Sequence, residues 1–471
     1  MVNNLYYAFV FLGTVLLCVG VVLLLKKPFL NLATSAVKQL DIILDKSIEE
    51  RVKDKLIFRN LLTLLKNLFL NIGLFILLLI CSILPALLYS KSYLNDIADT
   101  SSIYFFLCMF IGSFSLLIFR KKTDYSYWSK LLHTLILDNY NLGIYIFERE
   151  IKGFNKDQVL TNKPFVIVTG LARSGTTALT NLLFDENIFH SISYAHVPFL
   201  LAPNSWKKIF NPKSSKKKVR AHEDKVLFSE NSIEALEEYF FKVFLKDSYI
   251  NKSTLNKHEI TEELLGKYYM YQNLFRKNNN TLYLAKNNNF LLRYESVLKY
   301  NKQFKLVLIF REPLEHAKSL LRQHENFLTK QKEDNFVLEY MNWLGHYEFG
   351  LNQKHFLFDN DKLMEKYDKS ELSYWLAIWF NYYSYVNKIL KKHCICLVNY
   401  EDFLKNPDKI KQMLEISLEM ELTKEISEQF NPKEYSQENL YEVDNDLLEK
   451  TNKIYTDLML KKVVINEYNN V

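Results

Sequence analysis

The stretch "FVIVTGLARSGTTAL", residues 165–179, joins a short apolar run to a loop that begins and ends with glycine. The run is typical of a buried strand, and a helix is predicted from Thr176. Backbone N–H groups at a helix start are unpaired, and the helix dipole favours an anion there. Gly170 and Gly175 allow the loop to turn tightly. The stretch therefore predicts a strand, a phosphate-binding loop and a helix; an ordinary strand–turn–helix capped by a threonine is the alternative.

The loop departs from the ATP-binding pattern G-x-x-x-x-G-K-[ST] at one position. Its glycine spacing matches, and Thr177 matches the final hydroxyl, but Thr176 stands where that pattern has lysine. Arg173 supplies a cation from within the loop instead. We therefore expect the loop to bind a phosphate without the lysine that reaches the outer groups of a triphosphate.

A second apolar run, "KLVLIF" (residues 305–310), is followed by Arg311. In ATP-hydrolysing folds such a strand commonly ends in an aspartate that serves magnesium, and here Glu312 is the only carboxylate next to it. An arginine can bind a phosphate through two parallel hydrogen bonds. Ser319 is predicted two helical turns later, where it can face the same anion. A structural ion pair with Glu315 is the alternative for Arg311.

Further apolar runs at residues 281–285 and 394–398 complete the strand pattern. Predicted helices lie between the runs, at residues 232–245, 262–275, 313–327 and 370–390. Buried runs separated by helices predict an α/β fold, a parallel sheet flanked by helices on both faces.

The first 124 residues predict an α-helical membrane region. Three stretches approach the length of about 20 apolar residues that a bilayer requires, at residues 5–25, 68–89 and 103–119. A buried core helix is the alternative for each. Residues 26–67 carry nine lysines and arginines, residues 90–102 carry only Lys91, and residues 120–122 are all basic. Because cytoplasmic segments collect cations, the first connection and the chain after residue 120 are predicted to be cytoplasmic.

Composition narrows the function classes. The chain has 471 residues and a net charge of +7, which suits an anionic ligand or lipid headgroups but does not favour nucleic acid. Its five cysteines have no histidine partners at metal-ligand spacing, and their odd number fits no disulfide framework. The sequence predicts no metal site and a reducing compartment.

These motifs resemble those of the sulfotransferases that use 3′-phosphoadenosine 5′-phosphosulfate as donor. Residues 164–183 are similar to the family's 5′-phosphosulfate loop, and "VLIFREPLEHAKSLL" (residues 307–321) is similar to its 3′-phosphate segment. "VNYEDFLKNP" (residues 398–407) resembles the stretch whose tyrosine approaches the adenine, and residues 218–240 resemble a region of bacterial members. The resemblance spans residues 160–410 and does not account for the apolar stretches before them.

The resemblance implies a donor site, a P-loop-like sulfotransferase fold and no required metal. It predicts a helical lead-in over residues 125–160 and a catalytic domain over residues 161–460. The residues implied to bind the donor are Arg173, Ser174, Gly175, Thr176, Thr177, Arg311, Ser319 and Tyr400. The alternative for Tyr400 is a half-buried tyrosine at a strand end.

The resemblance also implies that Arg173 and Lys286 act in catalysis. The family places a lysine near the donor in a K-x-H stretch, whereas this chain has Lys286 followed by Asn287, Asn288 and Asn289. Asparagine cannot take a proton at neutral pH, so the base is expected elsewhere. A surface lysine beside an asparagine run is the alternative for Lys286.

The sequence offers several substitutes for the missing base. His222 is the first choice because imidazole titrates near neutral pH, and His196 is the second. Glu237 and Glu238 are further candidates from a predicted helix. Aromatic side chains for an acceptor pocket are Tyr194, Phe199 and Trp206, which core packing explains equally well.

Three functional hypotheses follow. The first is a multi-pass sulfotransferase of a bacterial inner membrane, with its catalytic domain in the cytoplasm and a lipid or lipid-linked glycan as acceptor. The second is a small-molecule kinase or other nucleoside-triphosphate enzyme. The third is a binding protein on a catalytically decayed sulfotransferase-like domain. The oligomeric state does not follow from the sequence.

Overall fold

The computed structural model divides the chain into two compact units, Met1–Tyr145 and Ile146–Val471. The structure describes residues 2–89, 127–152, 164–209, 218–219, 227–228, 233–276, 280–359, 362–422 and 442–462. The predicted third membrane stretch, residues 103–119, lies outside the described residues.

Two long helices dominate the first unit. The helices of this unit are α1 (Val2–Leu44), α2 (Glu50–Tyr89), α3 (Tyr127–Leu137) and the start of α4 (Tyr140–Ile151). At about 1.5 Å per residue, α1 and α2 are each roughly 60 Å long, about twice the thickness of a hydrocarbon core. The basic segment after residue 25 continues α1 as helix to Leu44.

The first two helices could cross a membrane. By length and composition, Val19–Leu44 and Glu50–Cys81 are long and apolar enough to do so. In the most apolar 18 residues of each helix, only 17% and 11% are buried, whereas the core helix of a soluble protein is mostly buried.

Polar and apolar contacts join α1 to α2. Asn60 Nδ2 donates to the carbonyl of Ser35 at 3.0 Å and to Gln39 Oε1 at 2.7 Å. Nearer the amino terminus of α1, Val21 packs in a small apolar cluster with Leu78 of α2. Together these contacts fix the antiparallel register of the two helices.

The second unit is built around a parallel sheet. Its strands are β1 (Phe165–Thr169), β2 (Phe189–His190), β3 (Lys218–Val219), β4 (Leu227–Phe228), β5 (Thr254–Asn256), β6 (Leu282–Lys286), β7 (Lys305–Phe310), β8 (His355–Leu357) and β9 (Cys396–Asn399). In the described part of the chain, five of them pair in the order β2-β6-β1-β7-β9, all parallel. The pairs β3–β4 and β5–β8 stand apart from this sheet.

Helices cover both faces of the sheet. They are α5 (Thr176–Leu183), α6 (Pro203–Ile209), α7 (Glu238–Phe244), α8 (Glu262–Leu274), α9 (Tyr294–Tyr300), α10 (Pro313–Glu333), α11 (Asn335–Leu344), α12 (Leu372–Ile389), α13 (Tyr400–Lys405), α14 (Pro407–Leu418) and α15 (Asn445–Lys461). On one face, Val168 clusters with Leu183 of α5 and Leu414 of α14. On the other face, the ring of Phe165 lies 5.7 Å from that of Tyr268 in α8.

The predicted parallel sheet is confirmed. Every side chain of β1 is buried, as expected for an apolar run that packs on both faces. The run at 281–285 becomes a strand one residue later, and the run at 394–398 begins its strand at Cys396. The helix predicted over residues 232–245 is wrong at its start, because only Glu238–Phe244 is helical.

The strand order reverses beside the glycine-bounded loop. After β1 the chain moves to the edge strand β2 on one side, whereas β7 lies on the other side of β1. Ligands of open α/β sheets bind at such a reversal, outside the carboxyl ends of the strands. The loop after β1 and Arg311 after β7 both follow these strand ends.

Candidate functional site

The loop after β1 is closely packed at both glycines. A Cβ added to Gly170 would lie 2.6 Å from Ser174 Oγ and 2.7 Å from the carbonyl oxygen of Ile309. Gly175 has a φ of +100°, which side chains disfavour, and a Cβ there would lie 2.6 Å from the ring of Tyr400. Only glycine fits both positions, and the loop therefore wraps closely onto β7 and Tyr400.

The loop leads directly into α5. Gly175 precedes the helix, and no side chain caps this helix start. Thr176 and Thr177 occupy its first two positions, with Thr176 buried. Their backbone N–H groups belong to the first turn, where intrahelical partners are lacking. The arrangement predicted for an anion at residues 174–177 is thus present in the backbone.

The two arginines of the prediction belong to one cluster. Arg173 Nε donates to Ser319 Oγ of α10 at 3.4 Å, which joins the first loop to the second motif. Arg311 lies with its guanidinium carbon 4.9 Å from the ring centroid of Tyr400, the ring that also contacts Gly175. The residues implied to bind both ends of the donor are therefore neighbours, and their binding role stays a prediction.

A buried histidine lies between the two motifs. His316, which has no exposed surface, bonds through Nε2 to the carbonyl oxygen of Ala172 at 2.7 Å. Burial, with a smaller contribution from the charges of Arg311 and Arg173, lowers the pKa of His316 to about 3. A neutral imidazole therefore fixes the loop, and both arginines act on the same ring.

The alternative ion pair for Arg311 is not formed. Glu315 pairs with Lys318 at 2.8 Å, and Glu312 accepts from the backbone N–H groups of Leu314 and Glu315 at the start of α10. Among the residues that the structure describes, the buried Nε of Arg311 has no hydrogen-bond partner. A buried donor without a partner costs about 1–3 kcal/mol, which an anionic ligand can offset.

Glu312 caps a helix where ATP-hydrolysing folds commonly present a metal-binding aspartate. Its carboxylate oxygens both accept backbone N–H groups. Within the described ranges, no group of three or more histidine, cysteine, aspartate or glutamate residues is arranged to hold a metal ion.

Lys286 is buried at the end of β6, which overturns the alternative of a surface lysine. Its Nζ lies 2.6 Å from Thr177 Oγ1 in the first turn of α5 and 2.7 Å from Glu234 Oε2. Side-chain exposure is only 7% for Lys286 and 6% for Glu234. Lys286 thus brings a cation to the first turn of α5, directly after the glycine-bounded loop.

The three asparagines after Lys286 are buried rather than solvated. Asn287 Nδ2 donates to Glu237 Oε1 at 3.1 Å, and the Asn287 N–H donates to the carbonyl of Val168. Asn288 Nδ2 lies 3.4 Å from Glu348 Oε1, and Asn289 Nδ2 donates to the carbonyl of Gly345 at 3.2 Å. They fix the turn after β6 against two carboxylates.

The structure describes one of the two histidines proposed as bases. His222 lies outside the described residues. His196 is buried, its Nδ1 bonds to the N–H of Ser193 at 3.0 Å, and burial lowers its pKa to about 4. Because His196 closes a short helical turn and packs on Phe275, the structure assigns it a structural role in place of the expected catalytic one.

The glutamate candidates also differ. Glu238 forms a buried bidentate pair with Arg293, both bonds at 2.7 Å. Burial favours its neutral form, but Arg293 outweighs this and lowers the pKa of Glu238. Glu237 has no exposed surface, and this burial raises its pKa to about 7. Glu238 therefore has a structural role in its pair with Arg293, and Glu237 accepts a hydrogen bond from Asn287.

The aromatic side chains proposed for an acceptor pocket pack on one another. Phe199 and Trp206 stack with their ring centroids 5.0 Å apart, and Trp206 Nε1 donates to the carbonyl of Ala195 at 3.1 Å. Trp206 is buried and Tyr194 lies in the helical turn closed by His196. Core packing accounts for these contacts.

Sequence reasoning missed Glu234, His316 and Glu348. Each acts on the site from a distant part of the chain: Glu234 on Lys286, His316 on the loop, and Glu348 on Asn288. His316 lies within the quoted motif of residues 307–321, and its position one turn into α10 was the available signal.

Comparison with known proteins gives distant likenesses only. No family model and no curated protein matches the chain. Sulfotransferase STF1 from Mycobacterium tuberculosis H37Rv is 9% identical, with 80% of this chain and 96% of that chain covered and a TM-score of 0.37. Sulfotransferase STF9 from Mycobacterium avium is 12% identical, with coverage of 75% and 90% and a TM-score of 0.38.

A sulfotransferase from Alicyclobacillus acidocaldarius is 13% identical, with 64% of this chain and 97% of that chain covered and a TM-score of 0.31. All three similar structures are thus sulfotransferases. Because a TM-score below 0.5 does not establish a common fold, these likenesses decide neither the fold nor the activity.

Proposed function

We propose that the chain is a membrane-anchored sulfotransferase that moves a sulfuryl group from 3′-phosphoadenosine 5′-phosphosulfate to an acceptor hydroxyl or amine. The observation that carries the proposal is that the two cationic motifs lie next to each other, after the carboxyl ends of β1 and β7. Arg173 of the first motif contacts Ser319 of the second, and the Tyr400 ring contacts both Gly175 and Arg311.

The chain's residues fit a ligand with two separate phosphates. The loop and the first turn of α5 suit the 5′-phosphosulfate, since they combine unpaired backbone N–H groups with Arg173. Arg311 suits the 3′-phosphate, because its buried Nε has no partner among the described residues and a guanidinium binds phosphate bidentately. Ser319, which lies beside Arg173, can donate to the 3′-phosphate together with Arg311.

Two cations serve the chemistry in this proposal. The donor supplies a sulfuryl group whose departure leaves negative charge on a phosphate oxygen. Arg173 in the loop and Lys286 beside Thr177 stabilise that charge, and their fixed positions require little reorganisation. Glu234 holds Lys286 in place when no ligand is bound.

Helices α1 and α2 suggest where the protein is located and which class of acceptor it meets. We propose that α1 and α2 cross the membrane, that the protein is multi-pass in a bacterial inner membrane, and that the catalytic unit is cytoplasmic. Cations concentrate in the first connection and after residue 120, which supports that orientation. A lipid or lipid-linked glycan is the acceptor class that an anchored enzyme meets most readily.

The test is sulfate transfer from radiolabelled donor to isolated membranes by the full chain in detergent. Arg173→Ala and Arg311→Ala are each expected to abolish incorporation, whereas Lys392→Ala, an exposed lysine near the opposite end of β9, is expected to leave it unchanged. Full activity of both arginine variants would refute the site.

The two alternative functions predict other activities. A nucleoside-triphosphate enzyme would turn over ATP with magnesium, although Thr176 occupies the lysine position and Glu312 caps α10. A decayed binding protein is favoured by the asparagines after Lys286. It would bind 3′-phosphoadenosine 5′-phosphate tightly and transfer no label to lipids, glycans or small molecules.

A further inference from the structure

Three carboxylates surround the turn after β6, and their accessibility differs. Glu234 is 6% exposed in its side chain and is paired with Lys286. Glu237 has no exposed surface and accepts a hydrogen bond from Asn287. The side chain of Glu348 is 13% exposed, so that it reaches the protein surface more than the other two. A group that meets an incoming acceptor must be accessible, which favours Glu348.

Glu348 is held by one neighbour on each oxygen. Asn288 Nδ2 lies 3.4 Å from Oε1, and His346 Nδ1 lies 3.6 Å from Oε2. The side chain of His346 is 25% exposed and therefore also reaches solvent. This arrangement orients the carboxylate and leaves a path for a proton to leave through the imidazole.

Glu348 also lies within electrostatic reach of the phosphate-binding loop. Burial favours the neutral acid of Glu348, but His346, the residue's own backbone N–H and Lys286 outweigh it and lower the pKa. Lys286 in turn contacts Thr177 in the first turn of α5. The carboxylate is therefore ionised at neutral pH, and it contacts Asn288 two residues after Lys286.

We propose that Glu348 is the general base that takes the proton of the acceptor, and that Asn288 and His346 position its carboxylate. The inference rests on the proposed sulfotransferase function. The proposal accounts for Asn288, which stands two residues after Lys286, where the K-x-H stretch has its histidine. An asparagine cannot accept a proton, so Asn288 orients the base instead of acting as one.

The acceptor oxygen forms a bond to sulfur with its own electron pair while the bond between sulfur and the 5′-phosphate oxygen breaks. The leaving phosphate oxygen keeps the electrons of that bond, and Lys286 and Arg173 stabilise its charge. The acceptor proton passes to Glu348, which becomes a carboxylic acid and later releases it to solvent past His346.

The main test compares Glu348→Gln with Glu348→Asp and with Glu325→Gln, an exposed glutamate of α10, in the full chain. Because general bases contribute about 100- to 10,000-fold, Glu348→Gln is expected to lower the rate of label transfer to membranes at least about 100-fold. Its affinity for 3′-phosphoadenosine 5′-phosphate is expected to stay unchanged. Glu348→Asp should recover part of the rate, and Glu325→Gln should match wild type.

The positioning role has its own measurement. His346→Gln removes a neighbour that lowers the pKa of Glu348, so the acid limb of the rate–pH profile is expected to move to higher pH. The charge of Lys286 also lowers the pKa of Glu348 and remains in this variant. Glu238 and Arg293, which lie beside Gly345, form an ion pair and neutralise each other. An unchanged profile would refute the role of His346.

The outcomes separate this inference from the proposed function. If wild type transfers no label, the sulfotransferase proposal fails and the base assignment fails with it. If wild type transfers label and Glu348→Gln keeps the full rate, only the base assignment fails. Weakened donor binding together with lost transfer in Glu348→Gln would also overturn it, since the residue would then act on the donor site.

Discussion

Replacing Arg311 with alanine should remove recognition of one phosphate and spare the other. Arg311 contacts the Tyr400 ring through its guanidinium, while its backbone carbonyl accepts from Trp379 Nε1 at 3.1 Å. The backbone contact survives in the variant. A cation–π contact contributes about 0.5–2 kcal/mol, so the fold should tolerate the change.

The expected loss of binding free energy follows from the hydrogen bonds that the Arg311 guanidinium would make to the phosphate. Each bond to a charged group contributes about 1.5–3 kcal/mol, so losing a bidentate pair costs about 3–6 kcal/mol. At about 1.4 kcal/mol per tenfold, the affinity for 3′-phosphoadenosine 5′-phosphate should fall about 100- to 10,000-fold.

The assay is calorimetric titration of wild type and Arg311→Ala with two ligands. One is 3′-phosphoadenosine 5′-phosphate, and the other is adenosine 5′-phosphate, which lacks the 3′ group. The second ligand should bind both proteins with similar affinity, because the loop after β1 is intact. Equal losses for both ligands would refute the assignment of Arg311 to the 3′-phosphate, since the damage would then be general.

Two further predictions concern stability, measured as the free energy of unfolding of the full chain in detergent. Gly175→Ala should destabilise by at least about 1–2 kcal/mol, because its φ of +100° is unfavourable for alanine and the new methyl group meets Tyr400. The control Gly266→Ala, in α8 with no atom within 4 Å of its added Cβ, should stabilise by about 0.5–1 kcal/mol, and a similar loss in both variants would contradict the reasoning. Glu237 holds its proton up to a pKa of about 7 when folded but releases it from about 4.5 when unfolded, so its contribution to stability is lost as pH rises across that window. Glu237→Gln should remove this decline of at most about 1.4 kcal/mol per pH unit, and stability curves that run parallel to wild type would count against it.

The sheet was predictable because its strands are continuous apolar runs. The runs at 165–169 and 305–310 match β1 and β7 at both ends, since every residue of β1 and nearly every residue of β7 is buried. Turn glycines and a helix-starting proline then located the loops. These signals are local, and the sequence displays them directly.

The surroundings of Lys286 were not predictable in the same way. A lysine followed by asparagines is typical of a surface loop, yet Lys286 is buried because Glu234, 52 residues earlier, neutralises it. The helix predicted from residue 232 begins only at Glu238, since Glu234 and Glu237 turn towards the end of β6. Such pairings depend on tertiary contacts that leave no periodic pattern.

The ring of Tyr400 has a consequence for how the two ends of a ligand are bound. The ring contacts Gly175 of the loop and the guanidinium of Arg311. A displacement of either residue is therefore transmitted to the other through one rigid aromatic group. Binding energies at contacting positions are not additive. A ligand that occupies both ends at once gains from a mutual restraint that two separate anions, bound one after the other, cannot reproduce.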